Sequence, residues 1–148
     1  MRSGEEEAVC RLIEECFNEF VAPEYSEAGI EEFFKYANPQ ALRDRTQKDH
    51  FVLMAMDGDK LVGVIEVRSN NHISLLFVKT EYHHRGIARK LLQLSLEACR
   101  KAKPDLDQID VNSSPYAVGI YAKLGFKRTD MEQEVNGIKF TPMKLTIK

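Results

Sequence analysis

Residues 73–113 read ISLLFVKTEYHHRGIARKLLQLSLEACRKAKPDLDQIDVNS, and this stretch decides the fold. Ile73–Val78 is a short apolar run of strand length, followed by a polar, basic loop at 79–85. From Gly86 to Ala102 the pattern changes period. Ile87, Ala88, Leu91, Leu92, Ser95, Ala98, Cys99 and Ala102 form one helical stripe, and Arg89, Lys90, Gln93, Glu97, Arg100 and Lys101 form the wet face. Pro104 stops that helix, and Gln108–Ser113 is a second short strand. Strand, helix and strand in this order predict a right-handed parallel crossover.

Working outward, residues 5–20 carry Val9, Leu12, Ile13, Cys16, Phe17 and Phe20 at helical spacing, and Pro23 ends that helix. Ser26 is placed to cap a second helix reaching Ala37, with Ile30, Phe33 and Phe34 as its apolar face. Residues 39–48 are polar and allow one short turn of helix. Phe51–Met56 and Leu61–Arg68 read as strands joined by Asp57-Gly58-Asp59, and Ser69-Asn70-Asn71 turns the chain into Ile73–Val78. Ser114-Pro115 opens a helix that ends near Lys123 and Gly125. Phe126–Glu134 and Ile138–Ile147 form a hairpin at Asn136-Gly137, and a slip in apolar phase at Pro142 predicts a bulge or edge. The fold class is α+β: one domain spanning residues 1–148, with helices around a mixed, mostly antiparallel, twisted sheet.

Composition narrows the function classes. With 148 residues there is room for one domain, and 43% apolar and 30% charged residues are ordinary globular values. A net charge of −2 gives no argument for nucleic acid or a membrane surface. The longest apolar runs, Leu61–Ile65 and Leu75–Val78, are too short to span a bilayer. Cys10, Cys16 and Cys99 sit in helical apolar patterns without a C-x-x-C, as expected of reduced residues in a cytoplasmic protein. Charge is unevenly spread: residues 1–32 hold ten Glu against Arg2 and Arg11, and the remaining 116 residues carry a net +6.

Two segments carry chemistry. In His83-His84-Arg85-Gly86-Ile87-Ala88-Arg89-Lys90 a helix start offers unpaired N–H groups and the positive end of its dipole. Gly86 and Ala88 are small enough for an anion to approach the backbone, so the segment reads as a phosphate cradle. It is neither a G-x-G-x-x-G nor a Walker loop. Adjacent His83 and His84 invite a metal, but no zinc spacing accompanies them, so no metal is expected. The second segment runs from Asn112 to Phe126 and contains Tyr121-Ala-Lys-Leu-Gly-Phe126.

Together these segments resemble the GNAT N-acetyltransferase superfamily, over about residues 50–147. His83-x-x-Gly86-x-Ala88 is similar to the family's Gln/Arg-x-x-Gly-x-Gly/Ala loop, with His83 in place of Gln or Arg. Tyr121–Phe126 is similar to its Y-x-K-L-G-F segment. Only Met1–Ser3 precede the first helix, so the family's first strand is short or missing. The resemblance implies acetyl-CoA as cosubstrate and direct attack by a primary amine in a ternary complex. Its pyrophosphate would lie on His84, Arg85, Gly86, Ile87, Ala88 and Arg89, beside His83. Its pantetheine would pair with the end of strand 73–78 through Phe77 and Val78, with an N–H near Leu76 stabilising the oxyanion. That strand would splay from 108–113 to make room. Asn112 and Ala117 would border the cofactor, and Tyr121 would be the general acid.

His72 and Glu66 are the expected bases. A three-residue turn would set Arg68 opposite His72 and Glu66 opposite Ser74, all on one sheet face with Val62, Val64, Leu76 and Val78. The basic segment 79–103 would hold the polyanionic cofactor. The acidic first helices, which border the acceptor site in this family, favour a small-molecule or peptide amine that is cationic: a polyamine-like amine, an amino sugar or a lysine side chain. Homodimers are common in the family, and the sequence itself identifies no dimer interface. The alternatives are transfer of a longer acyl group and a non-catalytic CoA-binding module.

Overall fold

The computed structural model describes residues 1–147. Among the described residues the α-helices are α1 (Glu6–Cys16), α2 (Glu27–Tyr36), α3 (Pro39–Thr46), α4 (Ile87–Ala102) and α5 (Val118–Lys123). The strands are β1 (His50–Asp57), β2 (Lys60–Arg68), β3 (His72–Val78), β4 (Gln108–Ser113), β5 (Lys127–Arg128), β6 (Gln133–Val135) and β7 (Ile138–Thr146). Their order across the sheet is β1-β2-β3-β4-β7-β5, with β6 on β7. Every pairing is antiparallel except β3 with β4.

Two apolar clusters make this a three-layer α/β/α domain. On one face Val9, Leu12, Ile13 and Cys16 of α1 pack with Ala37 and Leu42 onto Val52, Val64 and Leu75. On the other, Leu91, Leu92 and Cys99 of α4 join Tyr121 and Phe126 over Ile65, Val67, Ile73, Ile109, Val111 and Met143. Fully burying one such Leu or Ile stabilises the domain by about 1.5–3 kcal/mol.

The structure corrects several local expectations. The first helix stops at Cys16 and widens into a π-helical turn, Phe17–Val21, before a 3-10 turn at Ala22–Glu24. Residues 39–46 form a full helix, because Asn38 caps it (Oδ1 accepts the Ala41 N–H at 3.0 Å) and Pro39 pre-sets its first position. In α5 the helix begins at Val118, since Ser114 instead closes a tight turn through the Ala117 N–H, 3.3 Å from its Oγ. Among residues 1–5 no strand forms, and the Met1 ammonium donates to the Val52 carbonyl at 2.8 Å.

No bulge interrupts β7 at Pro142, which pairs in register with Asn112. The apolar phase slips because the helical cover changes side. Met143 and Leu145 join the α4 cluster, while the start of β7 lies beside α2. The bulge sits in β3 instead. Arg68 faces His72 as expected, but Glu66 pairs with Leu75, and register shifts between Glu66 and Val67. This one-residue slip sends Leu75 to the α1 side and puts Leu76 and Val78 on the α4 side, away from Val64.

Candidate active site

β3 and β4 pair only at His72↔Asp110 and Ile73↔Val111. Beyond that point β3 follows β2 to Val78 while β4 follows β7. The strands therefore part, and a cleft of about 620 Å³ opens between them, reaching from α2 to the N-terminus of α4.

Backbone groups of β3 line this gap. The Lys79 N–H donates to Val62, 2.9 Å away, and the Phe77 carbonyl lies against Gly63, so residues 77 and 79 direct their groups to β2. By strand alternation those of Leu76 and Val78 point into the gap. Phe77 therefore contributes its side chain to the cleft, whereas a backbone pairing had been expected of it. One of the gap-facing groups is already used: Nε2 of His83 lies 2.8 Å from the Val78 carbonyl, which only accepts, so the imidazole carries its proton there. That contact ties the cradle loop to the strand it follows.

The loop itself is built for close approach. His84 and Gly86 both take positive φ, 63° and 78°. No atom lies within 4 Å of where a Cβ on Gly86 would stand. The first intrahelical bond of α4 is Lys90 N–H to Gly86 carbonyl, 3.0 Å, which leaves the N–H groups of residues 86–89 without helical partners. His83, His84, Gly86, Ile87, Ala88 and Arg89 line the cleft. Arg85 does not. Its guanidinium lies over the Tyr82 ring, 4.9 Å from the centroid, and Tyr82 is in turn held by Asp57 at 2.6 Å.

Across the gap stand Asn112 and Ala117, with Tyr121 on α5. Tyr121 is 5% exposed and meets the Phe126 ring edge-on at 5.3 Å. Burial pushes its phenol well above the ordinary tyrosine range, so it stays protonated through neutral pH.

His72 and Glu66 stand outside the cleft. His72 is buried and its Nδ1 is in contact with the Asp110 carboxylate, at the point where β3 and β4 still pair. Glu66 is 2% exposed and bound by Arg45 and by His50. The geometry brings Tyr121, Leu76, Val78, Asn112 and the cradle together, and leaves both expected bases aside.

The end of the cleft beside α2 holds residues that the sequence pattern did not assign to a site. Phe17, Phe20 and Val21, all on the π turn, line it. Tyr25, Glu32, Phe33 and Tyr36 complete this wall. Spacing placed Phe33 in a core face; nothing in the sequence distinguished Glu32 from the nine Glu before it.

Comparisons with known proteins agree with this geometry. The family described as "Acetyltransferase (GNAT) domain" matches residues 21–147. A GCN5-related N-acetyltransferase from Rhodopseudomonas palustris superposes with a TM-score of 0.83 at 20% identity, covering 99% of this chain and 92% of its own. The PaiA N-acetyltransferase from Thermoplasma acidophilum, solved with coenzyme A, gives 0.75 at 24% identity over 97% and 93%. A GNAT-family acetyltransferase from Staphylococcus aureus gives 0.75 at 16% identity over 100% and 96%. With the splayed strands, the cradle before α4 and a family match over most of its length, this chain belongs to the GNAT acetyltransferase family.

Proposed function

We propose that the protein is an acetyl-CoA-dependent N-acetyltransferase acting on a primary amine. The observation that carries this reading is one continuous cleft joining open backbone N–H groups at the α4 N-terminus, the free edge of β3 and the buried phenol of Tyr121.

The chain suits the cofactor. A long polyanion fits a cradle whose N–H groups are unpaired and whose glycine leaves open space. Residues 86–89 would receive its diphosphate, helped by Arg89, and the gap-facing groups of Leu76 and Val78 its pantetheine. Acetyl-CoA bound there supplies a thioester carbonyl activated for attack by an amine. The Leu76 N–H, directed into the gap, donates to negative charge developing on the carbonyl oxygen. As the C–N bond forms and the C–S bond breaks, Tyr121 gives its proton to the departing sulfur and recovers one from the nitrogen. His83, engaged with Val78, fixes the loop. With His72 and Glu66 outside the cleft, the bound ammonium loses its proton to solvent before its nitrogen attacks.

Thermal unfolding with acetyl-CoA, CoA and ATP tests the reading. Acetyl-CoA at a hundredfold excess over its dissociation constant adds about 2.7 kcal/mol, a rise of roughly 2–6 °C for a domain of this size. CoA should act similarly and ATP should not. No rise with millimolar acetyl-CoA contradicts it.

A further inference from the structure

The acceptor half of the cleft is walled by rings. Phe17 and Phe33 stack 3.8 Å apart at 7°, and Tyr25 meets Phe17 edge-on at 5.5 Å. Phe77 stands edge-on to Phe33 at 6.4 Å, and Phe20 stacks on Tyr116 at 4.8 Å. Tyr25 is fixed further by its hydroxyl, which donates to the Lys139 carbonyl at 3.2 Å.

Against these rings stands one acid. Glu32 is the single carboxylate among the described residues that line the cleft. The other nine Glu of residues 1–32 do not line it, so most of the negative charge expected to greet an acceptor is spent elsewhere. Glu32 pairs only with Lys35, at 3.5 Å, and that ammonium is 74% exposed. Such a surface pair is weak, and a ligand cation readily takes its place. Tyr25 and Tyr36 add no charge, because burial raises both phenols.

A polycation entering this space would find one counter-charge and several apolar rings. A flat apolar body with one positive charge would find a partner for each part. We infer that the acceptor is a monocationic primary amine bearing an aromatic or similarly flat apolar body, drawn by Glu32 and held against the ring of Phe33, which Phe17 backs from the core. This inference rests on the acetyltransferase reading and narrows its substrate.

The test is steady-state release of CoA from acetyl-CoA, with phenethylamine and tryptamine set against spermidine, an amino sugar and a lysine peptide. The arylalkylamines are expected to exceed the others at least tenfold in kcat/KM. Glu32→Gln should raise KM for the arylalkylamine about tenfold and leave KM for acetyl-CoA unchanged. Phe33→Leu, which keeps apolar volume but removes the ring, should narrow the preference. Preference for spermidine, the sugar or the peptide overturns the inference and leaves the acetyltransferase reading intact. So does an unchanged amine KM in Glu32→Gln. Absence of turnover with every amine overturns the inference; acetyl-CoA stabilisation in the same samples then shows whether the cofactor site has failed with it.

Discussion

Arg45 grips both oxygens of Glu66, Nε to Oε2 at 2.7 Å and Nη2 to Oε1 at 3.0 Å, and His50 adds a third contact to Oε2 at 2.6 Å. The Arg45 guanidinium also covers the Tyr36 ring at 3.6 Å and donates to the Tyr36 carbonyl. A carboxylate on β2 thereby anchors α3 and the end of α2, and with them one wall of the cleft. Glu66, expected as a base, is engaged by these partners outside the cleft.

Glu66→Gln should therefore cost stability. Removing one partner of a buried pair leaves the guanidinium uncompensated, at about 3–5 kcal/mol. Chemical denaturation measures this directly. Activity per folded molecule should stay within a few-fold. A stable but inactive Glu66→Gln would restore Glu66 as the base.

Tyr121→Phe should lower kcat by about 10²–10³, within the range of a lost proton donor. The ring and its contact with Phe126 survive, so KM for acetyl-CoA and the unfolding midpoint should change little. Unchanged kcat would remove Tyr121 from the chemistry and favour a binding module.

Rate against pH separates the sources of the proton. An alkylammonium with a pKa of about 10.4 is only about 0.1% neutral near pH 7.4. If the ammonium loses its proton to solvent, kcat/KM for the amine rises about tenfold per pH unit from 7 to 9. The raised Tyr121 phenol keeps a falling limb out of this range. A plateau starting near pH 6.5 would instead assign the proton to an imidazole, with His72 the first to test.

Gly86→Ala should weaken acetyl-CoA binding at least tenfold, because its Cβ would project into the open cradle. The left-handed backbone at Gly86 adds a stability cost of about 1–2 kcal/mol. Calorimetric titration beside a denaturation curve distinguishes the two. Unaltered affinity would move the diphosphate off this loop.

Alkaline pH should loosen the fold. Burial pushes the Cys10 thiol up to about 11 and Cys16 up to about 12, against about 8.5 when unfolded. Above the unfolded value the unfolded chain loses protons that the native state keeps, so stability falls as pH rises through 9 to 11. Each such thiol contributes up to about 1.4 kcal/mol per pH unit. Cys16→Ser should flatten the slope, and a midpoint constant from pH 8 to 10.5 would contradict this.

Much of this was legible because local physics agreed with the fold. The α4 stripe, the strands on either side and the Asn136-Gly137 turn each follow from spacing or from the positive φ that Asn and Gly accept. The order of cradle and Y-x-K-L-G-F segment was enough to suggest the family. Side-chain placement was less legible. A single-residue bulge in β3 sent Leu76 and Val78 to the opposite face, and no residue at 74–75 marks it. The π turn at Phe17–Val21 looks like continued helix in sequence, since Phe17 and Phe20 keep helical spacing. Spacing does not show the partners remote in sequence, Arg45 for Glu66 and Asp110 for His72, that engage the two expected bases.

The most direct test is mass-spectrometric detection of product. The protein is incubated with acetyl-CoA and an amine panel, and N-acetylated amine is compared with free CoA. One acetylated amine per CoA released is expected, at a rate that collapses in Tyr121→Phe. CoA released without acetylated amine, or acetylated amine formed equally by Tyr121→Phe, would contradict it.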